Sequence, residues 1–194
     1  AIRKLTSGDF SVVSRDRADH AWIVAATVSD GPVKWYLYDR ATRKATLLFS
    51  NQPALEGLQL APMEGVVIEA RDGLKLPSYL VLPPGVPAKD LPLVLYVHGG
   101  PWARDNWGYN PTDQWLANRG YAVLNVNFRA STGFGKAFLH AGDLQWGATM
   151  QDDLTDAVKW AVAKGYADPK RVAIMGGSYG GYATLAGLTF TPDL

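Results

Sequence analysis

One stretch limits what this chain can fold into: Arg171-Val172-Ala173-Ile174-Met175-Gly176-Gly177-Ser178-Tyr179-Gly180-Gly181-Tyr182. Val172 to Met175 is a short apolar run of the kind a buried parallel strand carries. Gly176 to Gly180 fit the pattern G-x-S-x-G, a sharp strand-to-helix turn that presents a serine hydroxyl at the carboxyl end of its strand. Side chains two residues to either side of that serine would collide with the strand and the helix, which is why both places are glycine. Ala183, Ala186 and Gly187 then give the following helix a face small enough to pack close to a sheet. The spacing assigns Ser178 as a nucleophile. A glycine-rich turn with no chemistry is the plainer alternative, and the strand before and helix after favour the nucleophile. Nucleotide-binding loops fail on spacing. Tyr182 stands where a P-loop has lysine, and Phe138 stands where the run Ser131-Thr132-Gly133-Phe134-Gly135-Lys136 would need the third glycine of a dinucleotide fingerprint.

The remainder of the chain divides in two. Residues 1–63 read as antiparallel β, with short β-rich runs at Phe10 to Val13, Ala21 to Val28, Val33 to Tyr38 and Ala45 to Phe49. Turn-forming clusters separate them at 16–19, 29–32 and 39–43. Four such strands match one blade of a β-propeller, and on this pattern a small accessory sheet is an equal alternative. Asn51 to Pro62 is a connector. From residue 64 the pattern changes. Val66 to Ala70 and Leu74 to Leu82 flank a turn at Arg71-Asp72-Gly73 and form a hairpin. Leu93 to Val97 and Tyr121 to Phe128 are apolar strands, expected to be buried on both faces like Val172 to Met175. Thr112 to Asn118 and Thr149 to Lys164 are helices. Thr149 with Asp152 resembles a capping box, and Asp152 and Asp153 suit the positive end of the second helix. Strands alternating with helices predict a mostly parallel sheet with helices on both faces over residues 64–194, an incomplete α/β-hydrolase fold.

Composition excludes several classes. Lys+Arg number 19 against Asp+Glu 18, a net charge of +1, so no electrostatic footprint for nucleic acid is visible. There is no cysteine, which removes disulfides and thiolate metal sites. No metal or cofactor is expected. No apolar run approaches membrane-spanning length, so no membrane partner is expected either.

An acyl-transfer serine needs donors for the oxyanion that forms when it attacks a carbonyl. One comes from the backbone N–H after the nucleophile, here Tyr179. The other comes from a loop after an earlier strand. His98-Gly99-Gly100-Pro101 follows such a strand, and its glycines leave the N–H groups of Gly99 or Gly100 unobstructed. A side chain at Gly100 is expected to disturb the oxyanion and spare folding, because the loop lies at a strand end. His98 is not the base, because in this fold the order is serine, acid, histidine. It anchors the loop instead. His20 and His140 are read as local polar or packing residues. Trp102, Trp107, Tyr109, Trp115 and Trp146 are mainly core, with Trp102 and Trp107 placed to line a cleft.

The motifs Tyr96-Val97-His98-Gly99-Gly100-Pro101, Asn127-Phe128-Arg129-Ala130-Ser131-Thr132-Gly133-Phe134-Gly135, Trp146-Gly147 with Met150-Gln151-Asp152-Asp153, and Gly176 to Tyr182 together resemble the prolyl oligopeptidase family of serine peptidases. The likeness is nearest to its acylaminoacyl-peptidase and dipeptidyl-peptidase-like branch, and it is strong over about residues 64–194. It implies hydrolysis of short peptides. It also implies that residues 1–63 are the last blade of a propeller and its linker. Histidine at position 98 replaces the tyrosine of other branches and favours the acylaminoacyl-like one.

After Ser178 the chain carries one carboxylate, Asp193, and no histidine. An elbow serine without a base remains a weak nucleophile. The triad's Asp and His are therefore expected beyond Leu194 or on a complementary polypeptide, with this chain inactive alone. A carboxylesterase on the same fold and a non-catalytic hydrolase-like interaction module are the rival readings.

Overall fold

The structure, a computed structural model, describes residues 2–194, and its contacts divide the chain into two compact units. The first holds residues 2–62 with 108–111. Its four strands, β1 (Asp9–Arg15), β2 (Ala21–Thr27), β3 (Lys34–Asp39) and β4 (Lys44–Ser50), form an antiparallel meander in that order. Side-chain carboxylates make its turns. Asp16 accepts the N–H groups of His20 and Ala21, and Asp39 accepts that of Thr42, so the β1–β2 and β3–β4 turns close on Asx-type bonds. The connector between 51 and 62 contains one 3-10 turn, Pro53–Leu55. Val24, Ala25 and Ala26 of β2 are buried, whereas Val12, Val13, Leu47, Leu48 and Phe49 are exposed. Neighbours in a strand point to opposite faces, so this sheet has apolar side chains open on both sides.

The second unit, 63–107 with 112–194, carries the G-x-S-x-G turn. Its sheet has the order β5-β6-β8-β7-β9, from β5 (Met63–Glu69), β6 (Lys75–Val81), β7 (Leu91–Val97), β8 (Ala122–Val126) and β9 (Ala167–Gly176). The β7–β8 and β7–β9 ladders are parallel, and β5–β6 and β6–β8 antiparallel. The parallel character expected from the alternation of strands and helices is thus confined to three strands. Four helices complete the unit: α1 (Pro111–Ala117), α2 (Lys136–His140), α3 (Thr149–Ala163) and α4 (Tyr179–Phe190).

The pleat sorts the core. Leu93, Leu95, Val97, Leu124 and Val126 lie on one face, packed with Met150, Leu154, Ala157 and Ala161 of α3 and with Tyr179 and Ala183 of α4. Asn125 points the other way and donates to Asp113 of α1 at 2.9 Å. Both faces are covered, as the sequence leads one to expect. Burial on both faces holds for β7 and β8 only. Within β9, Ala173 is exposed and Val172, Ile174 and Met175 are half-buried, because β9 pairs with β7 alone and forms the sheet edge among the described residues. The capping box also fails. Ala148 is the N-cap of α3 and Thr149 Oγ1 donates to Gln145 Oε1. Asp153 does not cap either; it is fully buried against Arg129.

Candidate active site

Ser178 stands between β9 and α4 with φ 55° and ψ −119°. An L-residue rarely adopts a positive φ, and such strain persists only where surrounding structure imposes it. The imposition is visible. A Cβ on Gly176 or on Gly180 would run into the carbonyl oxygen of Val97, at the end of β7. Helix α4 therefore starts in contact with the neighbouring strand, and the chain has no room to turn more gently. The glycines flanking the pattern are not equivalent. Gly177 has nothing within 4 Å of its missing Cβ, and Gly181 has only Gly176 O at 3.5 Å. Ser178 is exposed and its side chain makes no capping hydrogen bond.

The loop after β7 closes over this serine. A Cβ on Gly99 would lie 3.3 Å from Ser178 Cβ and 3.1 Å from Gly177 O. Gly100 has φ 122°, and its Cβ would meet the backbone nitrogens of Trp102 at 2.7 Å and Ala103 at 2.9 Å. The expectation that Gly100 accepts a side chain without harm to folding is therefore wrong. The loop folds back so tightly that backbone, which cannot swing aside, occupies the space. Neither Gly99 nor Gly100 uses its N–H in a backbone hydrogen bond among the described residues. Tyr179 is the first residue of α4, so its N–H has no intrahelical acceptor. Three backbone donors thus remain unengaged around the serine.

His98 holds the loop rather than the nucleophile. Its Nδ1 lies 2.8 Å from Gly99 O and its Nε2 2.9 Å from Ser131 Oγ. With Nδ1 protonated it donates to the carbonyl and accepts the serine hydroxyl. The ring stacks on Phe128 at 4.4 Å. Burial lowers its pKa, against the opposing pull of the Gly99 carbonyl, so the ring is neutral at physiological pH. In a trans peptide the C=O and N–H point in opposite directions, so anchoring the Gly99 carbonyl also aims the Gly100 N–H.

Beneath His98 lies a support that sequence reasoning missed. Arg129 donates from N and Nε to Asp153 Oδ2 at 2.8 and 2.9 Å, and from Nη2 to Asp153 Oδ1 at 2.7 Å. Its Nη1 pairs with Asp72 of the β5–β6 turn at 2.9 Å. That pair fixes 128–131, the segment supplying Phe128 and Ser131 to His98. Arg129 and Asp153 each stand inside a motif noted in the sequence, but nothing along the chain links the two residues 24 positions apart.

The remaining expectations divide. The Tyr179 ring is buried between Phe128 and Trp146, at 5.1 and 4.9 Å between centroids. Its hydroxyl has no hydrogen-bond partner, and burial raises its pKa. Trp107 is tied by Nε1 to Met63 O at 2.8 Å. Trp102, Trp115 and Trp146 are 63%, 54% and 48% exposed, so they are surface rather than core residues. His20 is exposed in a turn, and His140 pairs with Asp143 at the surface. Neither approaches a catalytic grouping. No cluster of three metal-ligating side chains exists among the described residues.

Comparison with known proteins agrees with this geometry. Residues 107–194 match the model of the prolyl oligopeptidase family. The chain is 56% identical to dipeptidyl aminopeptidase BIII of Pseudoxanthomonas mexicana, an alignment covering 99% of this chain and 29% of that protein. It is 44% identical to dipeptidyl peptidase family member 6 of Caenorhabditis elegans, over 96% of this chain and 28% of that one. Among solved structures, a puromycin-hydrolyzing peptidase of Mycobacterium tuberculosis superposes with a TM-score of 0.80 at 29% identity, over 90% of this chain and 28% of that one. The uncomplexed acylaminoacyl peptidase of Pyrococcus horikoshii gives 0.80 at 25% identity, over 97% and 30%. This chain therefore spans less than a third of the length of these relatives. The mixed sheet with its strand–serine–helix turn is part of an α/β-hydrolase fold, accompanied by an antiparallel β segment. With the motif match, the near-complete alignments and the superposition in agreement, residues 107–194 carry the prolyl oligopeptidase family match and the chain is similar to peptidases of that kind along nearly its whole length.

Proposed function

We propose that this chain supplies the nucleophile and the oxyanion donors of a serine peptidase that hydrolyses short peptides. Ser178 Oγ attacks the scissile carbonyl, the amine leaves, and water releases the acyl group from Ser178. The backbone N–H of Tyr179, with that of Gly99 or Gly100, receives the charge on the carbonyl oxygen. The observation that carries this reading is the strained φ of Ser178 beside a glycine loop whose N–H groups are unengaged. The relatives' names point to peptides rather than esters, and the 56% identical one is a dipeptidyl aminopeptidase, so release of dipeptides is the first substrate mode to assay.

Among the described residues the Ser178 side chain makes no capping hydrogen bond, and no side-chain base is seen bonded to it. The triad's Asp and His are contributed by polypeptide outside these residues, on the same or a complementary chain. The antiparallel unit fits the last blade of a propeller. Its apolar side chains exposed on both faces are what neighbouring blades would cover. The test is reaction of the complete enzyme with a fluorophosphonate, followed by mapping of the adduct. Modification at Ser178 with concurrent loss of peptide hydrolysis is expected. Modification elsewhere, or hydrolysis of esters with no peptide turned over, defeats the reading.

A further inference from the structure

The loop that covers Ser178 continues into an arginine seated in an unusual way. Ala103, which packs against Gly100, donates its N–H to Pro101 O and accepts that of Thr132 at 2.8 Å. Arg104 follows. Its guanidinium lies over the Phe134 ring, with Cζ 4.3 Å from the centroid. Nε donates to Asp105 O at 3.2 Å. Gly133 leaves the room: a Cβ there would sit 2.6 Å from Arg104 Nη1, and the residue's φ of 89° favours glycine as well. Phe134 and Gly133 thus form a seat for one planar cation, which is half-buried.

Among the described residues the cation has no anion: Arg104 makes no ion pair, and Nη1 and Nη2 have no hydrogen-bond acceptor. Of the other arginines of this unit, Arg71, Arg129 and Arg171 are paired with aspartates, and Arg119 lies over Trp115 with Nη1 on the Trp115 carbonyl. The adjacent Asp105 makes no ion pair with Arg104 among the described residues. Its carboxyl feels the guanidinium, but burial and the charge of Asp113 push its pKa up to about 7. An arginine stacked on an aromatic ring with its outer fork open is preorganised for a carboxylate, which it can take with two parallel hydrogen bonds. Arg104 lies four residues after Gly100 on the loop that covers Ser178, and the Ala103–Thr132 bond ties that stretch to the segment holding His98.

We infer that Arg104 is a specificity-determining residue, whose Nη1/Nη2 edge binds a carboxylate of the substrate peptide. This rests on the peptidase reading given above. The carboxylate is either an acidic side chain or the free carboxyl terminus of a short peptide. Two matched comparisons separate these sources in the active enzyme that contains this chain. One sets Asp or Glu against Asn or Gln at each position near the scissile bond. The other sets a C-terminal acid against its C-terminal amide.

The expected result is a kcat/KM ratio of about ten in favour of the carboxylate in one comparison, from a charge-assisted bidentate contact. In Arg104→Gln that ratio falls to about one, whatever happens to the absolute rate. Arg104→Lys, which keeps the charge and loses the planar fork, retains part of it. A merely structural arginine would lower acidic and neutral substrates together and leave the ratio unchanged. That outcome, or a wild-type ratio near one in both comparisons while neutral peptides are cleaved, overturns the inference alone. Failure to cleave any peptide overturns it together with the peptidase reading.

Discussion

Ser178 occupies a backbone conformation that glycine would hold with less strain, so its side chain is retained against stability. Residues kept in such a conformation cost on the order of 1–3 kcal/mol. Ser178→Gly is expected to raise the unfolding midpoint above that of Ser178→Ala, and both should lose fluorophosphonate labelling. Equal midpoints for the two would mean that the elbow is unstrained. The flanking glycines give a sharper contrast. Gly180→Ala drives a methyl into the Val97 carbonyl and should abolish labelling. Gly177→Ala points into open space and should label at the native rate. Tyr179 separates main chain from side chain. Its hydroxyl is buried without a partner, and removing such a group leaves nothing unsatisfied. Tyr179→Phe should leave labelling unchanged and stability equal or slightly higher. A large loss of either would show that the hydroxyl has a partner under working conditions.

At the scale of elements, the site depends on how the ends of β7, β8 and β9 are tied together. The Arg129–Asp153 pair joins the segment after β8 to α3. Removing the Asp153 charge leaves the buried Arg129 with only the more exposed Asp72, at a cost below the roughly 3–5 kcal/mol of a fully stranded charge. Asp153→Asn should therefore destabilise the protein and slow labelling of Ser178 through loss of the His98 support. Normal denaturant unfolding of this variant would contradict the assigned role. The loop after β7 carries a pH signature too. Asp105 is held by Asn127, whose Oδ1 accepts its N–H at 2.8 Å, and burial pushes its carboxyl up to about 7, well above an unfolded aspartate. The folded state then binds the extra proton, so stability falls as pH rises from about 4 to about 7 and is level above that. Asp105→Asn should flatten this part of the stability–pH curve. An unchanged slope would assign it to other groups, Asp113 first, whose pKa is raised to about 6 by burial.

For the whole molecule, the two units pose one common requirement. The first exposes apolar side chains on both faces, and the second ends its sheet at β9, whose residues are half-buried or exposed. Both are what partners from the remaining two thirds of a relative-sized protein would cover. Residues 1–194 alone are accordingly expected not to react with a fluorophosphonate. Addition or co-expression of the polypeptide bearing the triad's Asp and His should bring labelling and a cooperative thermal transition together. An isolated chain that labels at Ser178 without it would refute the assignment of the base to another segment.

Local chemistry carried much of this protein into its sequence. The β-rich runs, the turn at 71–73, the helices near 112 and 149 and the G-x-S-x-G turn depend on neighbours a few residues apart, and they stand where the pattern places them. Ser178 and the His98-Gly99-Gly100 loop were legible for the same reason, since each is a contiguous motif with one backbone requirement. Other features depend on distance in the fold. Pairing of Arg129 with Asp153 and Asp72 needs three elements to meet, and the collision that forces glycine at 176 and 180 comes from Val97 of another strand. The edge position of β9, the exposure of Trp102 and Trp146 and the seat of Arg104 on Phe134 are likewise set by which segments lie side by side. Propensity and periodicity act along the chain, whereas burial and charge pairing act across it, so only the tertiary structure decided them.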